Sequence, residues 1–278
     1  MTTNITSIKL SHDFEEIFKI REEIVSEYSL TIKSVITTSD RLQLGTCLII
    51  MKSIFNHLTA LELLLEKCYI ESAGSIATSL WEKSITLQYL ILDIENRIKA
   101  YTTHDSFKKS PWPIKTMVTD IVKHENWSSP EKAEVNTELL YLQYSYLCAI
   151  KHGNPYTMSY LNRHLSNENI FQPEPIIDNE DKNILGFLYL YALTAMFDSL
   201  KAFSKKFCII SKYKELEQFG EQLTKNILQI KMSVPQIIIS SPKDFRKEFL
   251  EYLQNLDKTQ QLINRNMSGT QCPAIIPG

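Results

Sequence analysis

Residues 72–92 read SAGSIATSLWEKSITLQYLIL, and this stretch decides the fold class. Ala73, Ile76, Ala77, Leu80, Trp81, Ser84, Ile85, Leu87, Gln88 and Ile91 return every three to four positions, the period of a helix and not the alternation of a strand. Ala73, Gly74, Ala77 and Ser84 are small and permit a second helix to approach closely. Glu82 stands beside Trp81, between Leu80 and Ile85, where a carboxylate needs a partner.

The same period continues on both sides. Upstream, a helix from Ser11 to Thr37 carries Phe14, Ile17, Phe18, Arg21, Ile24, Val25 and Tyr28 on one face. Asp40 starts another, reaching Ile70, with Leu44, Leu48, Met51, Phe55, Leu58, Leu61, Leu65 and Cys68 as its inner stripe. That helix is apolar on more than one face, so it is expected at the centre. Downstream, Asp93 opens a helix to Phe107. Pro111 and Pro113 break the chain within KKSPWP, because proline removes a backbone donor. A short helix follows from Ile114 to Glu125. Ser129-Pro130 is a capped start for a helix to His152, which Gly153 and Asn154-Pro155 end. A short helix and a loop follow, closing in PEPIID. Asp178 then opens a long helix to Ile210, followed by one from Ser211 to Met232. Residues 236–240 (QIIIS) are the only β-like run, and Ser241-Pro242 begins a last helix to Ile263.

The expected fold class is therefore all-α: a single helical bundle over 1–263, with a core over 11–166, C-terminal helices over 178–263 and a flexible tail over 264–278. Leu48, Leu80 and Leu147 should lie inside it. The bulk composition agrees. With 278 residues, 44% hydrophobic and 22% charged, the chain can bury a core without disulfides or metals. Seven glycines are few for an all-β fold, whose turns want them. A net charge of −2 gives no global field toward nucleic acid or anionic membrane. No apolar run after Lys9 makes the start a secretory signal. The run Ile184–Phe197, about 14 residues, is short for a bilayer, so no membrane partner is expected. Five scattered cysteines fit a reducing cytoplasm.

Few residues suggest chemistry. No phosphate-cradling glycine loop, nucleophile elbow, Glu-x-x-His or His-Glu-x-x-His occurs, so no cofactor or metal is expected. The first candidate pair is Glu82 with His152, which ends another apolar helix: an acid/base pair in a cleft, or a buried latch that fixes helix register. Lys83 and Lys151 neighbour these positions. Tyr141, Tyr144, Tyr146, Tyr156 and Tyr160 gather around the sixth helix, either as core or as a stacking surface for bases. Lys201, Lys205, Lys206, Lys212 and Lys214 form the best basic patch, a solvated face or an RNA contact. His57 is expected to be a satisfied core histidine.

Two resemblances follow from particular residues. The string NRIKAYTTH sets Arg97 and His104 within two helical turns, similar to HEPN-type ribonucleases. That resemblance implies proton transfer by His104 from a ribose 2′-hydroxyl, a phosphate held by Arg97, and a homodimer. A solvated helix end is the alternative. Separately, Ser79-Leu80-Trp81-Glu82, Leu87 to Leu90, and Asp93-Ile94-Glu95-Asn96-Arg97 resemble a bacterial all-helical family of unknown function, itself distantly HEPN-like. Trp127, Tyr144 and Leu147 to Gly153 (LCAIKHG) resemble that family's Tyr…His-Gly helix end. The match covers Asp40 to Pro155. The family's Arg before the Glu is Thr78 or Ser79 here, and its Ser is Cys148.

Three functions are consistent with these residues. The first is a regulatory or interaction component of a bacterial defence or stress module, antiphage defence included, with a protein partner or second copy. The second is a metal-independent ribonuclease using Arg97 and His104. The third is a small-molecule-binding bundle centred on Glu82 and His152. A scaffold would show a large exposed apolar patch.

Overall fold

The computed structural model describes residues 5–36, 40–105, 110–125, 130–153, 161, 175 and 177–230. The chain divides into two units, 1–235 and 236–278. The second lies outside the described residues, and with it the β-like run, the last helix and the tail. The short helix expected after Asn154 also falls outside them.

Among the described residues the fold is all-α, with no strand and two isolated bridges, Ile5 to Ile177 and Val35 to Cys208. In chain order the helices are α1 (Leu10–Asp13), α2 (Glu15–Lys33), α3 (Arg41–Glu66), α4 (Ile70–Leu92), α5 (Ile94–Thr102), α6 (Ile114–His124), α7 (Pro130–Lys151), α8 (Asn179–Phe207) and α9 (Ile210–Gln229).

Two starts follow the capping chemistry read from sequence. Asp40 accepts from the backbone N–H groups of Leu42 and Gln43 at 2.8 and 3.1 Å. Asp178 forms a reciprocal capping box with Asp181. Several boundaries differ from the periodic pattern: the first helical stretch ends at Lys33, not Thr37, and the helix after Asp93 ends at Thr102, not Phe107. The first helix is split at Phe14, whose φ of −133° and ψ of 47° leave the helical region. Just before the break, the Asp13 carboxylate accepts from the Lys9 backbone N–H and also pairs with Lys182 of α8. The second helix stops at Glu66, short of Ile70. Cys68 takes the left-handed conformation at φ 61°, ordinarily a glycine position, and reverses the chain into α4.

α4 and α8 occupy the centre. α4 packs on α3, α5, α6, α7 and α8, and α8 packs on α2, α3, α4 and α9. The small residues of α4 serve the close approach expected of them. A Cβ added at Gly74 would lie 2.3 Å from the Ile150 Cγ2 of α7. The buried Ser84 hydroxyl donates to the Ala195 carbonyl of α8 at 2.6 Å, and Ser199 donates to Ser84 at 2.8 Å. Leu80 and Leu147 are fully buried, whereas Leu48 is only partly so.

The expected position of α3 needs correction. Cys47, Ile50, Met51, Ile54, Leu58, Leu61 and Leu65 form its buried stripe. Its other apolar face is uncovered, with Leu42, Ile49 and Leu63 exposed. The helix is apolar on two faces, but only one meets the core. The small-residue helix α4, which accepts neighbours on several sides, takes the central place instead.

α3 and α8 are each long and apolar enough to cross a membrane by length and composition. In α8, 67% of the most apolar 18-residue window is buried inside the protein; in α3, 33% is.

Candidate functional site

Glu82 faces α7 from the middle of α4. Its carboxylate accepts from the Tyr144 hydroxyl at 3.1 Å and from the Lys151 ammonium at 3.4 and 3.5 Å. Tyr144, Cys148 and Lys151 share one face of α7, spaced four and three apart. The Trp81 ring stacks on Tyr144 with centroids 5.2 Å apart. Burial, then the neighbouring Cys148 and Glu82, push the Tyr144 phenol well above its ordinary range, so it stays a hydrogen-bond donor. Burial first, then Glu82, also raises the Cys148 thiol against the opposing pull of Tyr144 and Lys151. A thiol held protonated is a weak nucleophile. The cluster is a carboxylate, an ammonium, a phenol and a thiol, half-open to solvent and mutually satisfied.

His152 is exposed, just past the last residue of α7, and its backbone N–H donates to the Cys148 carbonyl. The positive partner that reaches Glu82 is Lys151, one position earlier. The two hydroxyl residues before Leu80 have other commitments. Thr78 is buried, and its hydroxyl lies 2.7 Å from the Gly74 carbonyl and 3.2 Å from the Leu147 carbonyl of α7. The Ser79 hydroxyl donates to the Ser75 carbonyl. Neither can neutralise Glu82, and α7 supplies the charge instead.

Arg97 lies on α5 and His104 just beyond its end, exposed. The Arg97 guanidinium donates to the Tyr89 carbonyl at 2.7 Å and to Asp120 at 3.1 Å, with its carbon 3.6 Å from the Tyr89 ring centroid. It therefore ties the end of α4 to α5 and α6. Trp112 packs on the same Tyr89 ring at 5.0 Å.

The remaining candidates have structural surroundings. His57 is half-buried and lies 2.7 Å from the Ser53 carbonyl through Nδ1. Tyr146 is buried and meets Phe187 edge-on, and Tyr141 lies beside Tyr144. Tyr156, Tyr160, Trp127 and His164 lie outside the described residues. In the basic patch Lys205, Lys206 and Lys214 are exposed, while Lys212 is buried on Glu27 and Glu215. Among the described residues no group of three or more His, Cys, Asp or Glu side chains is arranged to hold a metal ion.

Sequence reasoning missed a better-formed ionic site. Arg21 of α2 donates to both carboxylate oxygens of Glu62 on α3, at 2.8 and 3.2 Å, and the fully buried Tyr189 of α8 donates to the same carboxylate at 2.8 Å. The signal was present: Glu62 interrupts a run of leucines, as Glu82 interrupts its own apolar helix, and Arg21 falls in the apolar register of α2. Three helices converge on this carboxylate with its acceptors filled, which is the pattern of a structural lock.

No family model, curated protein or solved structure matches the chain.

Proposed function

We propose that the chain is a non-catalytic helical interaction component whose working surface is the outer face of α3. One observation carries this reading. On a helix of 26 residues, Leu42, Ile49 and Leu63 are 58%, 71% and 63% exposed along a single face. Soluble monomers ordinarily scatter such residues singly, and an aligned set points to a partner. The commitments of the polar candidates support the same reading. A phosphate-holding arginine needs its donors free, and Arg97 spends two on Tyr89 and Asp120. Glu82 is neutralised within the bundle by Lys151 and Tyr144. The cytoplasmic setting rests on the five scattered cysteines, and the bacterial defence or stress module on the resemblance of residues 40–155.

The test is photo-crosslinking inside a bacterial expression host, with benzoylphenylalanine replacing Ile49 or, as control, the exposed Glu23 of α2. Adducts from position 49 and not from position 23 are expected; no adduct from position 49 overturns the reading. In parallel, His104→Ala and His152→Ala should leave expression toxicity and RNA cleavage unchanged. A measurable ribonuclease activity lost in either variant overturns the non-catalytic assignment.

A further inference from the structure

We infer that the partner of the α3 face is a second copy of this chain, packed antiparallel along α3; the inference rests on the reading of that face as the working surface. Leu42, Ile49, Asn56 and Leu63 recur every seventh residue on the exposed side, the spacing that keeps a seam facing a neighbouring helix. Between them lie small, half-buried side chains: Thr46, Ser53 and Ala60, also seven apart, beside Gly45. A Cβ at Gly45 would meet nothing, so the face there is open. Large residues alternating with small ones permit close helix approach, and the seam runs for most of a helix about 39 Å long.

The order of residues suits a two-fold axis beside Lys52 and Ser53. An antiparallel copy sets Leu42 against the partner's Leu63, Gly45 against the partner's Ala60, and Ile49 against the partner's Asn56. Charge decides the direction. Arg41 and Glu66 lie at opposite ends of α3 but on the same flank, about 20° apart around the axis. Antiparallel packing brings Arg41 to the partner's Glu66 at both ends of the seam. Parallel two-fold packing would set each flank against the partner's opposite flank, and Arg41 and Glu66 would not meet. Antiparallel helices also align their dipoles favourably. Lys52 meets the partner's Lys52 beside the axis; both are exposed, so each can lay its aliphatic stem along the seam and turn its ammonium away from the other into water.

The experiment measures the mass of the purified full chain by sedimentation across concentration, for wild type, Ile49→Glu, Arg41→Glu, and Arg41→Glu combined with Glu66→Arg. A dimer is expected for wild type. Ile49→Glu should weaken it about 100-fold, with the helical circular dichroism unchanged because the residue is exposed in the single chain. Arg41→Glu should weaken it, and the double reversal should restore it. In a Cys148→Ser, Cys272→Ser background, chains carrying Leu42→Cys should cross-link to chains carrying Leu63→Cys and not to themselves. A monomeric wild type, a dimer indifferent to Ile49→Glu, or Leu42→Cys self-cross-linking overturns the proposal. So does a monomer that sediments with phosphatidylcholine–phosphatidylglycerol vesicles through Ile49. The photoadduct from position 49 separates the two failures. Twice the chain mass supports the second copy, another mass overturns it while the interaction reading stands, and no adduct removes both.

Discussion

Arg97 shows how much a single side chain can be fixed by its surroundings. Its guanidinium is planar, with donors on a rigid fork, and here it lies over the Tyr89 ring while donating to the Tyr89 carbonyl and to Asp120. An ammonium can replace the charge but not the plane or the fixed fork of its donors. Arg97→Lys is therefore expected to lose nearly as much stability as Arg97→Ala, about 1–3 kcal/mol in urea unfolding for either. A lysine variant as stable as wild type would mean that charge alone matters at this position. The sequence made Arg97 conspicuous through its short string with His104, yet both groups that hold it come from other helices. Spacing along one helix reveals neighbours on that helix; it carries no information about a carbonyl on α4 or a carboxylate on α6. The same limit applies at Glu82. Its need for a partner was legible from the apolar residues around it. That the partner is Lys151 and not His152 depends on where α7 ends.

At the scale of elements, the contact between α4 and α7 depends on what is missing from Gly74. A methyl group there would fall 2.3 Å from Ile150, a branched side chain that is itself buried and cannot move freely aside. Alanine is the better helix former, by about 1 kcal/mol in an open helix. Overpacking a tight contact costs about 1–3 kcal/mol. The second effect should win, so Gly74→Ala is expected to destabilise despite its higher propensity. Pairing it with Ile150→Val should recover part of the loss, and equal or greater stability of the single variant would show that the helices can separate without cost. The closeness of this contact was readable in the run of small residues. The rank of the helices was not. α3 has the longer apolar stripe, but α4 can be approached from several sides, and that property follows from side-chain size and not from hydrophobicity. The turn between them was also hidden, because Cys68 takes a left-handed conformation that sequence reading reserves for glycine or asparagine.

Across the whole molecule, α8 is the element to which distant parts of the chain are tied. Asp13 pairs with its Lys182, and Tyr189 on the same helix meets Glu62, which in turn holds Arg21 of α2. Acid takes the chain far from its net charge of −2 at pH 7 and repels the fold as a whole, so the contribution of one such pair is read as a difference between two proteins. Asp13 is the one to test. Burial works to raise its carboxyl, but hydrogen bonds from Lys182 and from the Lys9 backbone outweigh this and hold it below the ordinary value of 3.8. A carboxyl depressed in the folded state stabilises the fold above its unfolded pKa, and that contribution is lost as pH falls through the folded one. Asp13→Asn should thus lower stability at pH 7 by about 0.5–1 kcal/mol, the modest value expected of a partly exposed pair. The gap from wild type should be unchanged down to about pH 5 and close at lower pH, as the wild-type carboxyl takes up its proton. Unfolding curves for the two proteins at matched ionic strength decide the matter. A gap that persists in acid would show that the charge of Asp13 on Lys182 is not what the substitution removes.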